Sequence, residues 1–307
     1  MSKKNAIIVY VDNKPKFIEE FSWIWKSWLM WDINEEWDLI AICHPDAEEE
    51  LNSKFKHDDL IIKPQVPLSE TNEFWKDYKF VNSFAYFEDE SNIELIKNYK
   101  FVLKTDCDTF LTKHFKGFKP WRDKVYLGLG QFYSSRYTSD LRMAVFNKLQ
   151  LFADKFKLNK NLITNVGASM ICQSIELVAV CKLQLKMTEA VLKLGFPDGK
   201  KGHWPGWFRG VASMYAGELA VNHLVSASRV QQGSLDVWCA ENEISSVDLH
   251  IHAWQQNDVD LFNKMKYHNG ELPKIKRNNI PDKAGDYCHM ITCQPIEELK
   301  LLAEKST

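Results

Sequence analysis

FVLKTDCDTF, residues 101–110, is the stretch that decides the fold of this chain. Its apolar first half is typical of a buried strand, and Asp106 and Asp108 follow in an Asp-x-Asp pattern. A buried strand carries the residues at its end to an edge of the sheet, where two carboxylates separated by one residue can converge on one hard cation. We therefore predict a metal site at Asp106 and Asp108. The alternative is a loop with two solvated aspartates.

Strands and helices alternate around this stretch, which predicts an α/β fold with a mostly parallel central sheet flanked by helices. Apolar runs predict the strands, and apolar residues at helical spacing predict the helices. Further strands are predicted at residues 6–11, 37–43, 60–62, 124–130, 162–172 (in two parts with a bend) and 249–254, and helices at residues 17–31, 141–157, 175–194 and 211–224 and from about 295. The sequence shows no low-complexity linker, so we predict a single domain of residues 1–307.

The composition narrows the class of protein. The chain has 307 residues, 45% of them hydrophobic. Its net charge is −2, so it lacks the excess of positive charge that is typical of nucleic-acid-binding proteins. Its seven cysteines are irregularly spaced without a Cys-x-x-Cys pair, so we predict free thiols in a reducing compartment. The first apolar run is too short for a signal peptide or a membrane span. We expect a soluble, cytoplasmic protein.

A second group of candidate ligands lies in LHIHAW, residues 249–254. Side chains alternate along a strand, so His250 and His252 point to the same face. One of them can complete a metal site with the two aspartates, and we favour His252, although the spacing leaves His250 open. The alternative is an amphipathic strand with two hydrogen-bonded histidines.

Small and aromatic residues mark two further candidate segments. Asn165 and Gly167 lie in a run of small residues, where a ligand can approach the backbone closely. The loop of residues 203–210 contains stacking faces and one guanidinium group, which suit a sugar and a phosphate. Its candidate binding residues are Trp204, Trp207, Phe208 and Arg209. A β-bulge and a hydrophobic plug are the respective structural alternatives.

Glu218 is a carboxylate in an otherwise apolar helical stretch. Such a group is either paired inside the protein or has a raised pKa that suits a general base. We predict Glu218 as the base candidate, with Asp198 and Asp236 as weaker candidates. A buried structural Glu remains the alternative.

These motifs together resemble the GT-A glycosyltransferases. More narrowly, the segment from Trp204 to Glu218 and the sequence Ile251-His252-Ala253-Trp254 resemble a set of algal and large-virus GT-A-like proteins. The resemblance implies a nucleotide-sugar donor, most often a UDP-sugar, a glycan acceptor, and Mn²⁺ or Mg²⁺ as the cofactor. It also implies that Asp108 and His252 bind the metal.

The resemblance assigns the remaining site residues and the parts of the domain. Asp106 and Arg209 would contact the donor, and Asn165 and Gly167 match a segment near the donor sugar in glycogenin-like enzymes. The end of the first strand, at Val9, Tyr10 and Val11, would also contact the donor. The donor-binding half would span about residues 1–130, the acceptor or catalytic half about 131–272, and a tail with a helix 273–307.

We therefore expect a metal-dependent glycosyltransferase, with a lean towards inversion at the anomeric carbon. One alternative is a non-catalytic carbohydrate- or nucleotide-binding protein on a degenerate GT-A fold. Another is a metal-dependent phosphohydrolase, although the sequence offers no clear nucleophile or phosphate loop for it.

Overall fold

The computed structural model describes residues 4–130, 133–134, 140–160, 162–239, 243–253 and 262–306. These residues form a mixed α/β protein, which confirms the predicted class. The strands of the described residues are β1 (Asn5–Val11), β2 (Trp37–Cys43), β3 (Leu60–Pro64), β4 (Phe101–Lys104), β5 (Thr109–Leu111), β6 (Val125–Leu129), β7 (Val166–Gln173), β8 (Val230–Leu235), β9 (Val237–Trp238) and β10 (His250–His252). The helices are α1 (Pro15–Met30), α2 (Glu48–Lys54), α3 (Leu68–Thr71), α4 (Asn82–Ala85), α5 (Glu90–Lys97), α6 (Asp140–Phe156), α7 (Ser174–Gly195), α8 (Ala212–Leu224), α9 (Lys264–His268), α10 (Ala284–Cys293) and α11 (Ile296–Glu304).

Two sheets contain these strands. The larger sheet has seven strands in the order β3-β2-β1-β4-β7-β6-β8, and the smaller has three in the order β5-β10-β9. Strands β1, β2 and β3 are parallel, whereas β7 runs antiparallel to both β4 and β6. Trp254, at the end of the last predicted strand, lies outside the described residues.

Contacts within the chain group it into two compact units that interleave along the sequence. Unit 1 comprises mainly Val66–Lys104 and Pro120–Gln232, and unit 2 comprises Ser2–Gln65, Thr105–Lys119 and Gly233–Thr307. The single domain of residues 1–307 and its proposed halves stay a prediction.

Unit 2 is built on the parallel strands and helix α1. Residues Ala6 to Val9 of β1 are fully buried, as the apolar run predicted. Pro15 lies in the first turn of α1, where its missing N–H leaves no helical bond unmade. The buried face of α1 reaches the small sheet, because Trp23 stacks on Phe110 of β5 with ring centroids 5.3 Å apart. One acidic residue, Glu20, lies on this buried face.

The helix predicted at residues 175–194 is confirmed as α7 of unit 1, which packs against α8. The predicted two-part strand at residues 162–172 is wrong in its first part, since the strand begins only at Val166. The reason is local. The main chain of Ile163 is bonded in both directions by the side chain of Asn222, and Asn165 has a φ of 56°, so neither residue continues a strand.

No helix in the described part of the chain is both long enough and apolar enough to cross a membrane.

Candidate functional site

The predicted metal ligands meet within unit 2. The main-chain N–H of Thr105, the residue after β4, donates to the carbonyl oxygen of Ile8 in the middle of β1. On the other side, the N–H of Ala253 donates to the carbonyl oxygen of Asp108 at 3.0 Å. Strand β10 pairs antiparallel with β5, so that His252 lies opposite Thr109. The Asp-x-Asp segment is therefore held from two sides by main-chain bonds.

Asp106, Asp108 and His252 form a compact cluster. Each offers one ligand atom, and the three atoms lie within 4.8 Å of one another. The Nε2 atom of His252 lies 3.3 Å from Oδ1 of Asp108 and 3.9 Å from Oδ2 of Asp106. Asp108 and His252 are buried, whereas about a third of the Asp106 side chain is exposed, at 32%. One side of the cluster is thus accessible to a ligand through Asp106.

Asp236 fixes the ring of His252 from behind. Its Oδ1 atom lies 3.2 Å from Nδ1 of His252, and its side chain is fully buried. A histidine that donates Nδ1–H to a carboxylate presents its Nε2 lone pair on the opposite side, which is a common arrangement of metal-binding histidines. Asp236, which the sequence predicted as a weaker base candidate, is therefore positioned by its contacts as an orienting residue.

His250 does not belong to the cluster. Its Nδ1 atom accepts the main-chain N–H of Asp236, and its Nε2 atom lies 2.9 Å from the hydroxyl oxygen of Thr105. Burial lowers the pKa of His250 to about 4, so the ring is neutral and Nε2 carries the proton that it donates to Thr105. Both ring nitrogens of His250 are engaged in hydrogen bonds within the protein. His252, and not His250, is therefore the histidine placed to bind a metal.

The sequence missed two charged residues beside the cluster, Lys264 and Glu20. Lys264, the first residue of α9, donates from its ammonium group to Oδ2 of Asp108. The same Nζ atom lies 4.0 Å from Oε1 of Glu20. His268, at the other end of α9, lies with Nε2 2.9 Å from the same Glu20 oxygen. A row of opposite charges therefore runs from Asp108 through Lys264 to Glu20 of helix α1.

The neighbouring charges shift the pKa values of Asp108, His252 and Glu20. Burial opposes the ionised form of Asp108, but Lys264 and His252 outweigh it and hold the pKa of Asp108 well below its usual range. Burial likewise opposes the imidazolium form of His252, yet the carboxylates of Asp108 and Asp236 raise its pKa to about 10. In Glu20, burial and the nearby Asp108 charge raise the pKa. At neutral pH Asp108 is charged, and so is His252 when no metal is bound.

The donor set of Asp106, Asp108 and His252 could hold a divalent cation. Two carboxylates suit Mg²⁺ and Mn²⁺, and an imidazole ligand is less suited to Mg²⁺ than to a softer ion. The carboxylate behind His252 supplies the hydrogen bond that such a ligand requires. The residues present therefore fit Mn²⁺ better than Mg²⁺.

Glu218 lies in unit 1 and has the contacts of a structural carboxyl group. Its Oε2 atom accepts the hydroxyl of Ser134 at 2.5 Å and the main-chain N–H of Asn165 at 2.8 Å. The amide oxygen of Asn165 in turn accepts the main-chain N–H of Ser134. Burial raises the pKa of Glu218 to about 7, with these hydrogen bonds opposing the shift. The group is only 3% exposed, and it holds Asn165 in its left-handed conformation just before Val166 and Gly167.

The aromatic loop of unit 1 is half-buried, and its rings contact other rings of the protein. Trp207 stacks on Tyr215 with centroids 4.6 Å apart and on Phe196 at 5.4 Å. Trp204 meets Phe208 edge to face. These contacts favour the plug that was the alternative to a sugar platform, because the faces of Trp207 already touch protein rings.

The other two candidates in unit 1 have ordinary partners. One guanidinium nitrogen of Arg209 donates to the carbonyl oxygen of Asp77, and the group lies over the ring of Tyr78. Asp198 is more than half exposed and forms an ion pair with Lys200. Neither side chain is buried, whereas catalytic groups commonly are.

The fold and the site thus define an α/β protein with a candidate metal centre of two carboxylates and one imidazole. A family model matches residues 1–300, and the chain therefore belongs to that family, described as a domain of unknown function (DUF7164). A search of curated proteins finds no match.

Proposed function

We propose that this protein is a metal-dependent glycosyltransferase with a GT-A-type fold, which transfers a sugar from a nucleoside diphosphate donor, most often UDP in such enzymes, to a hydroxyl acceptor. The observation that carries the proposal is the convergence of Asp106, Asp108 and His252, with Asp236 behind the histidine. A donor set of this size leaves several positions on a divalent cation for diphosphate oxygens and water.

The position of the cluster in the sheet supports a nucleotide ligand. The main-chain N–H of Thr105, the residue after β4, donates to Ile8 of β1, so the cluster follows the carboxyl end of β4, the strand next to β1. Ligands of open α/β sheets bind beyond the carboxyl ends of the strands. Val9 and Val11 are fully buried, main chain included, so the half-buried Tyr10 is the residue at the end of β1 that a nucleoside can reach.

Each residue of the cluster has a distinct task in this proposal. Asp108 and His252 hold the metal, Asp106 contacts the metal or the donor at the exposed side, and Asp236 keeps the His252 Nε2 lone pair available. A bound divalent metal stabilises the negative charge that develops on the departing diphosphate. The acceptor hydroxyl loses its proton either to a carboxylate or to the leaving diphosphate, and the contacts of Glu218 favour a structural role for that group.

A donor screen tests the proposal. The protein is incubated with Mn²⁺ and UDP-xylose, UDP-galactose or UDP-glucose, and free UDP is measured with and without candidate glycan acceptors. We expect release with at least one donor and loss of release in Asp108→Asn. Asp58→Asn changes an exposed carboxylate in the same unit and should behave as the wild type. Equal UDP release by Asp108→Asn would contradict the proposal.

A non-catalytic nucleotide- or carbohydrate-binding protein is the second candidate. The ion pair between Lys264 and Asp108 favours it, because an ammonium group already neutralises Asp108 without a metal. The same screen separates the two functions. Metal-dependent UDP binding without release from any donor would support the binding protein.

A further inference from the structure

We infer that Lys264 is the resident counter-cation of Asp108, and that Glu20 receives it when a divalent metal binds. The inference rests on the proposed metal site and extends it to two residues outside the ligand set. It explains how one buried carboxylate can be paired both with and without the metal.

The first observation is the contact of the lysine with a predicted ligand. The Lys264 ammonium group touches Oδ2 of Asp108, while Oδ1 of the same carboxylate faces His252 at 3.3 Å. The exposed fractions of the Lys264 and Asp108 side chains are 14% and 10%. A cation in that position repels a divalent metal on the same carboxylate, and burial weakens the screening by water. The metal and the lysine therefore compete for Asp108.

The second observation is an alternative partner within reach. Oε1 of Glu20 lies 4.0 Å from the Lys264 nitrogen, so a movement of roughly 1 Å brings the two into normal hydrogen-bond distance. Glu20 is 3% exposed, and the same oxygen already lies within hydrogen-bond distance of Nε2 of His268. A buried lysine released from Asp108 without a new partner would be strongly unfavourable. Glu20 removes that obstacle, because the lysine stays paired in both positions.

The exchange has a chemical consequence for metal affinity. With Lys264 on Asp108 the metal-free site is neutralised and stable, and Mn²⁺ has to displace one buried ion pair. With Lys264 on Glu20, Asp108 is free to bind the metal. Lys264 thus lowers the affinity for Mn²⁺, whereas Glu20 raises it.

Calorimetric titration with Mn²⁺ alone tests the exchange in four full-length proteins: the wild type, Lys264→Met, Glu20→Gln and the double variant. We expect Lys264→Met to bind Mn²⁺ at least roughly tenfold more tightly and Glu20→Gln roughly tenfold more weakly. In the double variant the effect of Glu20→Gln should shrink, because the group it accommodates is gone. Lys266→Met removes a positive charge from the same helix and should leave the affinity unchanged.

Thermal unfolding keeps the test valid if a variant is unstable. Lys264→Met leaves two buried carboxylates less well compensated, so its melting temperature should fall without Mn²⁺ and recover more than that of the wild type when Mn²⁺ is added. Lys264→Gln, which retains a donor to Asp108, serves as the second variant and should also bind Mn²⁺ more tightly.

The outcomes separate the inference from the function beneath it. A wild type that binds Mn²⁺, with Lys264→Met and Lys264→Gln binding it no more tightly, would overturn the exchange and leave the metal site intact. If neither the wild type nor the lysine variants bind Mn²⁺, the metal site and the exchange both fail. Tighter binding by the lysine variants together with weaker binding by Glu20→Gln supports the exchange.

Discussion

Replacement of Asp236 by Asn tests the orienting role of the carboxylate behind His252. The Asp236 side chain is fully buried, and its Oδ1 lies 3.2 Å from Nδ1 of His252. Asn keeps the size of the side chain but removes the negative charge, and it can turn an N–H group towards Nδ1. The neutral imidazole that binds a metal then loses the acceptor that keeps its proton on Nδ1, so the tautomer with its lone pair on Nε2 is less favoured.

The size of the effect follows from similar arrangements. Loss of a carboxylate behind a metal-binding histidine typically weakens metal affinity by about 10- to 100-fold. Because Asp236 has no exposed surface through which water could replace it, we expect Asp236→Asn to lie within this range. The assay is calorimetric titration with Mn²⁺, with circular dichroism as the check on folding.

A matched control separates this effect from a general effect of neutralising a buried carboxylate. Asp248 is also buried in unit 2, but its Oδ2 atom accepts the main-chain N–H of Ser245. Asp248→Asn should therefore bind Mn²⁺ with nearly the wild-type affinity. Wild-type affinity in Asp236→Asn, with the protein folded, would refute the orienting role.

Three further predictions concern protons and packing. Metal binding requires a neutral His252, whose pKa without metal is about 10, so Mn²⁺ binding at pH 7 should release about one proton and strengthen as pH rises. Calorimetric titrations in buffers of different ionisation enthalpy measure the number of protons released. A number near zero would contradict the prediction. The pKa of Glu218 is raised from 4.5 to about 7, so the folded state keeps a proton that the unfolded state loses in this window, and the free energy of unfolding should fall by roughly 3 kcal/mol from pH 4.5 to pH 7 on account of this group. Glu218→Gln should reduce that slope in urea unfolding, and an unchanged slope would show that the group does not titrate there. Trp207→Ala should destabilise the protein by roughly 2–3 kcal/mol, because its half-buried ring is stacked on Tyr215 and Phe196; a loss below about 1 kcal/mol in the same assay would contradict these stacking contacts.

The sequence predicted the parts of the site that depend on local pattern. The apolar runs located β1, β2 and β4, and the Asp-x-Asp pair was expected at the end of β4. The alternation of side chains in residues 249–252 placed both histidines on one face. Hydrogen bonding decides between them, because the two nitrogens of His250 are bonded to Thr105 and Asp236.

The pairing of Lys264 with Asp108 was beyond such reasoning. The two residues are 156 positions apart, and no periodic pattern marks a lysine in a short helix as the partner of a distant carboxylate. Glu20 offered a better clue. It lies one helical turn after Phe17 and just before Phe21, within the apolar stripe of α1, where a carboxylate requires a buried partner.

Short and polar elements account for most of the remaining errors. Strand β9 has two residues, and β8 contains Gln, Gln and Gly, so neither forms an apolar run. Strand β5 has only three residues and follows the Asp-x-Asp pair directly, so it forms no separate apolar run. The error at residues 162–165 arose because Asn222, almost 60 positions away, binds the main chain of Ile163.

Calorimetric titration with UDP, with and without Mn²⁺, tests whether a metal holds the diphosphate at this site. We expect the wild type to bind UDP in the presence of Mn²⁺ and at least about tenfold more weakly without it, and Asp108→Asn to lose the difference. Wild-type binding of UDP that does not depend on Mn²⁺, or the absence of any binding, would contradict a metal-held diphosphate at Asp106, Asp108 and His252.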